Sequence, residues 1–221
     1  MIVKGLTHVP VITLDGPSGT GKGTLCHRLA EALGWHVLDS GVLYRALGLL
    51  TEKRGIALDM IRDVVALAHE LPIIFEKTGI LLDGIRVEDE LRTEACGARA
   101  SQLAAIPDVR AALLERQRAF AKKPGLVTDG RDMGTVVFPQ ADLKIYLDAQ
   151  RRYLQLKAAG KSVNLAQVIG ELAKRDARDR DREHAPLVAA HDAITVDTTD
   201  RNIEAVFEQL LLCARERGLT S

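Results

Sequence analysis

Val9 to Leu14 is a short, β-rich apolar run that ends at Asp15-Gly16, the pattern of a buried strand. From Thr24 to Leu33, apolar Leu25, Leu29 and Leu33 recur at four-residue spacing, which predicts a helix stopped by Gly34. Trp35–Leu38 predicts a second strand and Gly41–Lys53 a second helix. Residues 56–99 have a different texture. Asp59 is placed to cap a helix running to about Glu70, and Ile73-Ile74-Phe75, Ile80-Leu81-Leu82 and Ile85-Arg86-Val87 read as three short strands joined at Thr78-Gly79 and Asp83-Gly84. Helices are predicted over about 92–104 and 108–121, the second begun by Pro107. Leu126–Thr128 and Leu143–Leu147 suit inner strands of a parallel sheet. A polar helical zone spans about 164–182, and Ile194–Val196 predicts a last strand. Ile203, Val206, Phe207, Leu210, Leu211 and Ala214 mark one face of a final helix. Strands alternating with helices imply an α/β fold, here with a small antiparallel insertion.

The 221 residues are 47% apolar and 27% charged, values of a globular chain rather than a disordered one. Thirty Lys and Arg balance thirty Asp and Glu, and aromatic residues are 4%. A nucleic-acid polymer is therefore not an expected partner: the basic excess and the stacking platforms are both missing. Cys26, Cys96 and Cys213 are far apart and form no C-x-x-C pair, so each reads as a small buried residue of a reducing compartment. No apolar run approaches membrane-spanning length, and Met1-Ile2-Val3-Lys4-Gly5 has no signal-peptide core, which predicts a cytoplasmic location. The six histidines show no metal-ligand spacing.

The sharpest local signal is Gly16-Pro17-Ser18-Gly19-Thr20-Gly21-Lys22-Gly23-Thr24, between a predicted strand and a predicted helix. Glycines let the backbone wrap with its N–H groups inward, the helix N-terminus adds a positive field, and a lysine at position 22 reaches the β- and γ-phosphates of a nucleotide. Gly23 stands where many phosphate loops have the Ser or Thr that binds Mg²⁺, and Thr24 comes one position later. That predicts a Mg²⁺ held mainly through phosphates and water, with no protein metal ligand.

Phosphoryl transfer needs cations that gather anionic substrates and spread charge over the migrating group. Candidates stand in Asp39-Ser40-Gly41…Tyr44-Arg45, in Asp129-Gly130-Arg131-Asp132-Met133-Gly134, and in Arg175-Asp176-Ala177-Arg178-Asp179-Arg180-Asp181-Arg182. Arg45 and Arg131 follow predicted strand ends, the edge where open α/β sheets bind ligands. The third stretch supports two readings equally on charge alone. Alternating Arg and Asp can be a solvated face, yet Arg175, Arg178 and Arg182 share one face and would repel without an anion.

Taken together, these segments resemble bacterial cytidylate kinases over nearly the whole chain. The resemblance is carried by Ile12–Gly19, Leu38-Asp39-Ser40-Gly41, Arg92-Thr93, Ala100-Ser101-Gln102, Arg110, Gln117-Arg118, Asp129–Phe138 and Arg175–Arg182. It implies a phosphate-loop core (1–55, 100–149, 183–221), a nucleoside-monophosphate-binding insertion (56–99) and a mobile helical lid (150–182). It further implies transfer of the γ-phosphoryl group of ATP to CMP or dCMP by a monomer. Gly16 to Thr24 would hold ATP; Ser40, Arg45 and Arg131 would surround the acceptor's phosphate and sugar; Ser101, Arg110 and Asp132 would read cytosine. Arg175, Asp179 and Arg182 would close from the lid, with Lys22, Arg131, Arg175 and Arg178 serving the transfer itself. The base chemistry agrees: a carboxylate such as Asp132 accepts from the N4 amino group of cytosine but meets another acceptor in uracil.

One stretch departs from that pattern. After Leu147-Asp148-Ala149 the family has a Ser-x-Glu-Glu-Arg-like stretch before paired arginines, whereas Gln150-Arg151-Arg152 follows here directly. A real deletion would shorten the lid helix and change its reach; residues omitted from a mobile lid are the favoured reason, and a donor-binding role for Arg151 or Arg152 is left open. Kinases for other small acceptors (uridylate, adenylate, shikimate) and a nucleotide-binding switch without turnover are the rival readings.

Overall fold

The computed structural model describes residues 8–76, 79–148 and 163–220; within the helix that begins at Val163, side chains are described at 170 and from 172 onward. Five strands form one parallel sheet: β1 Val11–Asp15, β2 His36–Asp39, β6 Leu126–Gly130, β7 Leu143–Asp148 and β8 Ile194–Asp197, in the order β2-β6-β1-β7-β8. The helices of this core are α1 Lys22–Leu33, α2 Ser40–Lys53, α5 Glu94–Leu103, α6 Pro107–Arg118, α7 Val163–Arg180 and α8 Ile203–Glu216. Between α2 and α5 lie α3 Ile61–His69, the antiparallel strands β3 Ile73–Glu76, β4 Gly79–Leu82 and β5 Ile85–Arg86, and the short α4 Glu88–Arg92.

The inner strands read as continuous apolar runs because both faces are covered. Successive residues serve opposite sides: Leu126 packs with α2, α3, α5 and α6 residues such as Leu47, Val64, Leu103 and Leu113, and Val127 packs with Leu25, Leu29, Val206 and Leu210 of α1 and α8. The register brings Asp39 level with Asp129, and Asp15 level with Gly130 and Tyr146. Three carboxylates thus arrive at one edge of the sheet, the edge at which strands give way to loops.

Several predicted details are corrected. Asp59 does not cap α3: Met60 holds the N-cap position, no side chain caps it, and the Asp59 carbonyl accepts the Ile61 N–H at 2.8 Å instead. The helix predicted over 92–104 is two helices, because extended Thr93 ends α4 and its hydroxyl caps α5 by accepting the Cys96 N–H at 3.2 Å. The helix predicted over 108–121, α6, ends at Arg118 rather than near 121. A π-helical turn over Met133–Val137 was not predicted. Ile203 is 38% exposed rather than core, and Cys213 takes a buried place on α8. The hairpin turn at Asp83-Gly84 forms with positive φ at both residues, as a two-residue turn of that sequence requires.

All three cysteines are free and buried. Among the described residues no helix is long and apolar enough to cross a membrane. The segment after Ala149, with Arg151 and Arg152, lies outside the described residues. The expectation of omitted residues falls on that same segment.

Candidate active site

Where β1 ends, the backbone turns through Gly16 (φ 150°), Gly19 (φ 82°) and Gly21 (φ 86°) before α1 begins at Lys22. A Cβ at Gly16 would lie 2.2 Å from the Leu147 carbonyl oxygen of β7, so only glycine fits there. No side chain caps α1 and its first turn carries no acid, which leaves N–H donors directed at the loop's interior. Buried Lys22 folds over the loop, its Nζ donating to the Pro17 carbonyl at 2.6 Å and to Thr20 Oγ1 at 3.3 Å. Thr24, by contrast, is exposed. Asp15 accepts the N–H groups of Met133 and Gly134 at 2.9 and 2.8 Å, fastening the π-helical turn beneath the loop.

Burial of so many ionisable groups disturbs their titration. It pushes Asp15 up to about 6, against the pull of its two N–H donors. Asp129 is pushed up to about 8, first by burial and then by the charge of Asp39, while Lys22 and Arg131 pull the other way. Lys22 is pushed down to about 7 by burial and by Arg131. Asp129 Oδ1 is buried without a hydrogen-bond partner. A carboxylate oxygen with spare acceptor capacity beside the phosphate loop fits a hydrated divalent cation, and among the described residues no group of three or more metal-ligating side chains forms a closed cage.

Across the cleft, Arg45 of α2 donates from Nη1 to the carbonyls of Leu91 and Thr93, at 2.7 and 3.1 Å, at the break between α4 and α5. Gly97 of α5 forms the floor beneath two guanidinium groups: a Cβ there would lie 2.9 Å from Arg45 Nη2 and 3.1 Å from Arg175 Nη1. Arg175 donates no hydrogen bond among the described residues. Burial, then the like charges of Arg131 and Arg45, push it down to about 10. Three mutually repelling arginines concentrate positive charge at this wall of the cleft, and an anion would relieve it.

Buried Asp179 gathers the surrounding donors. It accepts from Arg131 Nε at 3.0 Å, from Ser101 Oγ at 2.9 Å and from Arg182 Nη2. Burial alone would raise its pKa, but Arg131 and Arg182 outweigh that and hold it below the ordinary carboxylate range. Arg131 reaches the glycine-rich loop as well, with Nη2 on Ser18 Oγ at 2.8 Å. Deeper in the cleft, Arg110 pairs with Asp132, and burial raises the Asp132 pKa against the arginines around it. Ser40 Oγ donates to the Asp129 carbonyl at 2.8 Å.

One cleft of about 670 Å³ is lined by loop residues Ser18–Thr24 and by Ser40, Arg45, Ser101, Arg110, Arg131, Asp132, Arg175, Asp179 and Arg182. Gly16 and Pro17 lie buried behind that surface. Arg178 does not line the main cleft. It borders a smaller hollow beside Glu94 and Lys174, and its Nη1 donates to Ser101 Oγ at 3.2 Å. Four participants carried no role in the sequence reading: Asp39, Asp129, Gly97 and Asp176, whose Oδ1 accepts the Ser18 N–H at 2.8 Å. The strand ends would have pointed to Asp39 and Asp129; nothing in the sequence singles out Gly97.

A sequence profile of the family described as "Cytidylate kinase" matches residues 12–216. A protein of that description from Nitrosococcus oceani is 52% identical over 215 residues, covering 92% of this chain and 95% of its own. Another, from Photobacterium profundum, is 52% identical over 213 residues and covers 92% and 93%. A third, from Aeromonas salmonicida, is 50% identical over 218 residues and covers 94% and 95%. By the match of nearly its whole length and by this level of identity, the chain belongs to the cytidylate kinase family.

Proposed function

We propose that this chain transfers the γ-phosphoryl group of ATP to CMP and dCMP, giving ADP with CDP or dCDP. The reading rests above all on one arrangement: a phosphate loop and a cluster of three arginines face each other across one cleft, bridged by Arg131 on Ser18. In the same cleft, Arg110 and Asp132 offer a donor and an acceptor, a pairing suited to cytosine. Gly16 to Thr24 hold the donor's phosphates, and Ser40, Arg45, Arg131, Arg175 and Arg182 hold the acceptor. Ser101 and Asp179 orient the arginines.

An anionic oxygen of the CMP phosphate attacks the γ-phosphorus in line. The new O–P bond forms as the bond to the β,γ-bridging oxygen breaks, and ADP leaves. No strong base is needed, because the nucleophile is already ionised. Lys22 and Arg131 orient the groups and stabilise the spreading charge; Arg178, outside the cleft, acts through its bond to Ser101. A Mg²⁺ ion, when bound, neutralises phosphate charge; phosphates and water would hold it, with Asp129 accepting from that water. Residues 56–99 serve as the acceptor-binding insertion, 150–182 as the lid and the remainder as the core. The protein acts as a cytoplasmic monomer, without a nucleic-acid polymer or a membrane as partner.

The test is ADP release with Mg-ATP and CMP, dCMP, UMP, AMP, GMP or shikimate as acceptor. Turnover concentrated on CMP and dCMP is expected. Preference for another acceptor would overturn the base assignment, and folded protein without acceptor-dependent turnover would overturn the kinase reading.

A further inference from the structure

Among the described residues, one side chain accepts a hydrogen bond from a main-chain N–H of the Gly16–Gly23 loop. It is Asp176 of α7, whose Oδ1 stands 2.8 Å from the Ser18 nitrogen. Ser18 is held a second time through its hydroxyl, by Arg131. Loops of this kind bind phosphate oxygens with those same main-chain donors. A carboxylate oxygen seated on one of them therefore occupies an anion position of the donor site. An N–H of this geometry serves one strong acceptor, and a carboxylate and a phosphate brought to it together repel. The preceding residue, Arg175, turns toward Arg45 and Gly97 on the acceptor side. Consecutive residues of one helix thus address the two halves of the cleft with opposite charge.

We propose that Asp176 is a positioning residue that competes with the donor's phosphates for the Ser18 N–H: without donor it seats α7 on the loop, and the arriving phosphate displaces it. The proposal rests on the reading of the loop as an ATP site. Its consequence is a weaker apparent affinity for ATP, reduced by the fraction of molecules in which the contact is made.

The test is calorimetric titration of the acceptor-free protein with ATP and with inorganic tripolyphosphate. Asp176→Ala is expected to bind both about three- to tenfold more tightly than the parent, the gain for a contact made in roughly 70–90% of molecules. Asp176→Asn, which keeps the shape without the charge, is expected to fall between. Asp181→Ala removes the same charge from an exposed position just beyond α7 and is expected to change affinity less than twofold. A contact that only braces the lid would leave ATP affinity unchanged or weakened on removal, and either result overturns the proposal. Equal tightening by Asp181→Ala overturns it too, since a general field would then account for the effect. Failure of the parent protein to turn over CMP would count against the acceptor assignment alone; failure to bind ATP would count against both.

Discussion

Arg131 Nε donates to Asp179 Oδ2 at 3.0 Å, and through this bond a helix near the end of the chain fixes the arginine that also touches Ser18 of the phosphate loop. The carboxylate is flanked by a second arginine, Arg182, and both arginine partners of Asp179 are largely buried. Removing the acid leaves two cations without compensation, the costly way to break a buried pair. Asp179→Ala is expected to lower kcat/KM for CMP by about a hundredfold or more. Asp179→Asn, which keeps the Ser101 bond, should lose less. Steady-state kinetics over a CMP titration checks both. Because Asp179 titrates below its ordinary range, its stabilising contribution is present at neutral pH and is lost as pH falls through its folded-state pKa.

Asp132 is expected to carry discrimination between cytosine and uracil. In Asp132→Ala, kcat/KM for CMP should fall at least tenfold more than for UMP, because a site that hydrogen-bonds the amino group rejects an analogue lacking it. Equal losses with the two acceptors would remove Asp132 from base reading. Arg110, its partner, would then need another role.

Gly97→Ala should act on acceptor binding without unfolding the chain. The added methyl meets the ends of two flexible side chains, Arg45 and Arg175, rather than backbone. Both guanidinium groups must shift by a few tenths of an ångström. We expect KM for CMP to rise about threefold to thirtyfold, with KM for ATP little changed and the thermal midpoint within about 2 °C of the parent.

Asp129 offers a pH-dependent test. Its folded-state pKa lies near 8, above the ordinary 3.8, so the folded protein binds that proton more tightly than the unfolded chain does. The associated stability is present at low pH and is lost as pH rises through 8. Asp129→Asn removes this loss. The substrate-free variant should therefore melt above the parent by roughly 3 °C or more near pH 8, and by less near pH 5. Turnover should nonetheless fall at least tenfold. Scanning calorimetry at the two pH values, beside an ADP-release assay, reads both.

The phosphate loop was legible because its residues are consecutive and its flanks switch from strand to helix within a few positions. The sheet was legible for a related reason: strands buried on both faces announce themselves as apolar runs. The segment Arg175–Arg182 was harder. Charge alternation alone weighs a solvated face and a ligand face equally, and what separates them is distance to Ser101 and Arg131, residues far away in the chain. Gly97 could not have been found from sequence, since its importance lies in what stands over it. The split at Thr93 was missed because propensity favours one continuous helix there, whereas the threonine hydroxyl prefers the cap.

Gly16 carries a consequence for anyone who would redesign this protein. The atom that excludes a side chain at position 16 is the carbonyl oxygen of Leu147, part of the peptide backbone of a central strand. No exchange of the side chain at 147 can therefore make room. The loop and strand β7 form a single inherited unit, and a graft that moved the loop to another scaffold would have to carry that neighbouring strand with it.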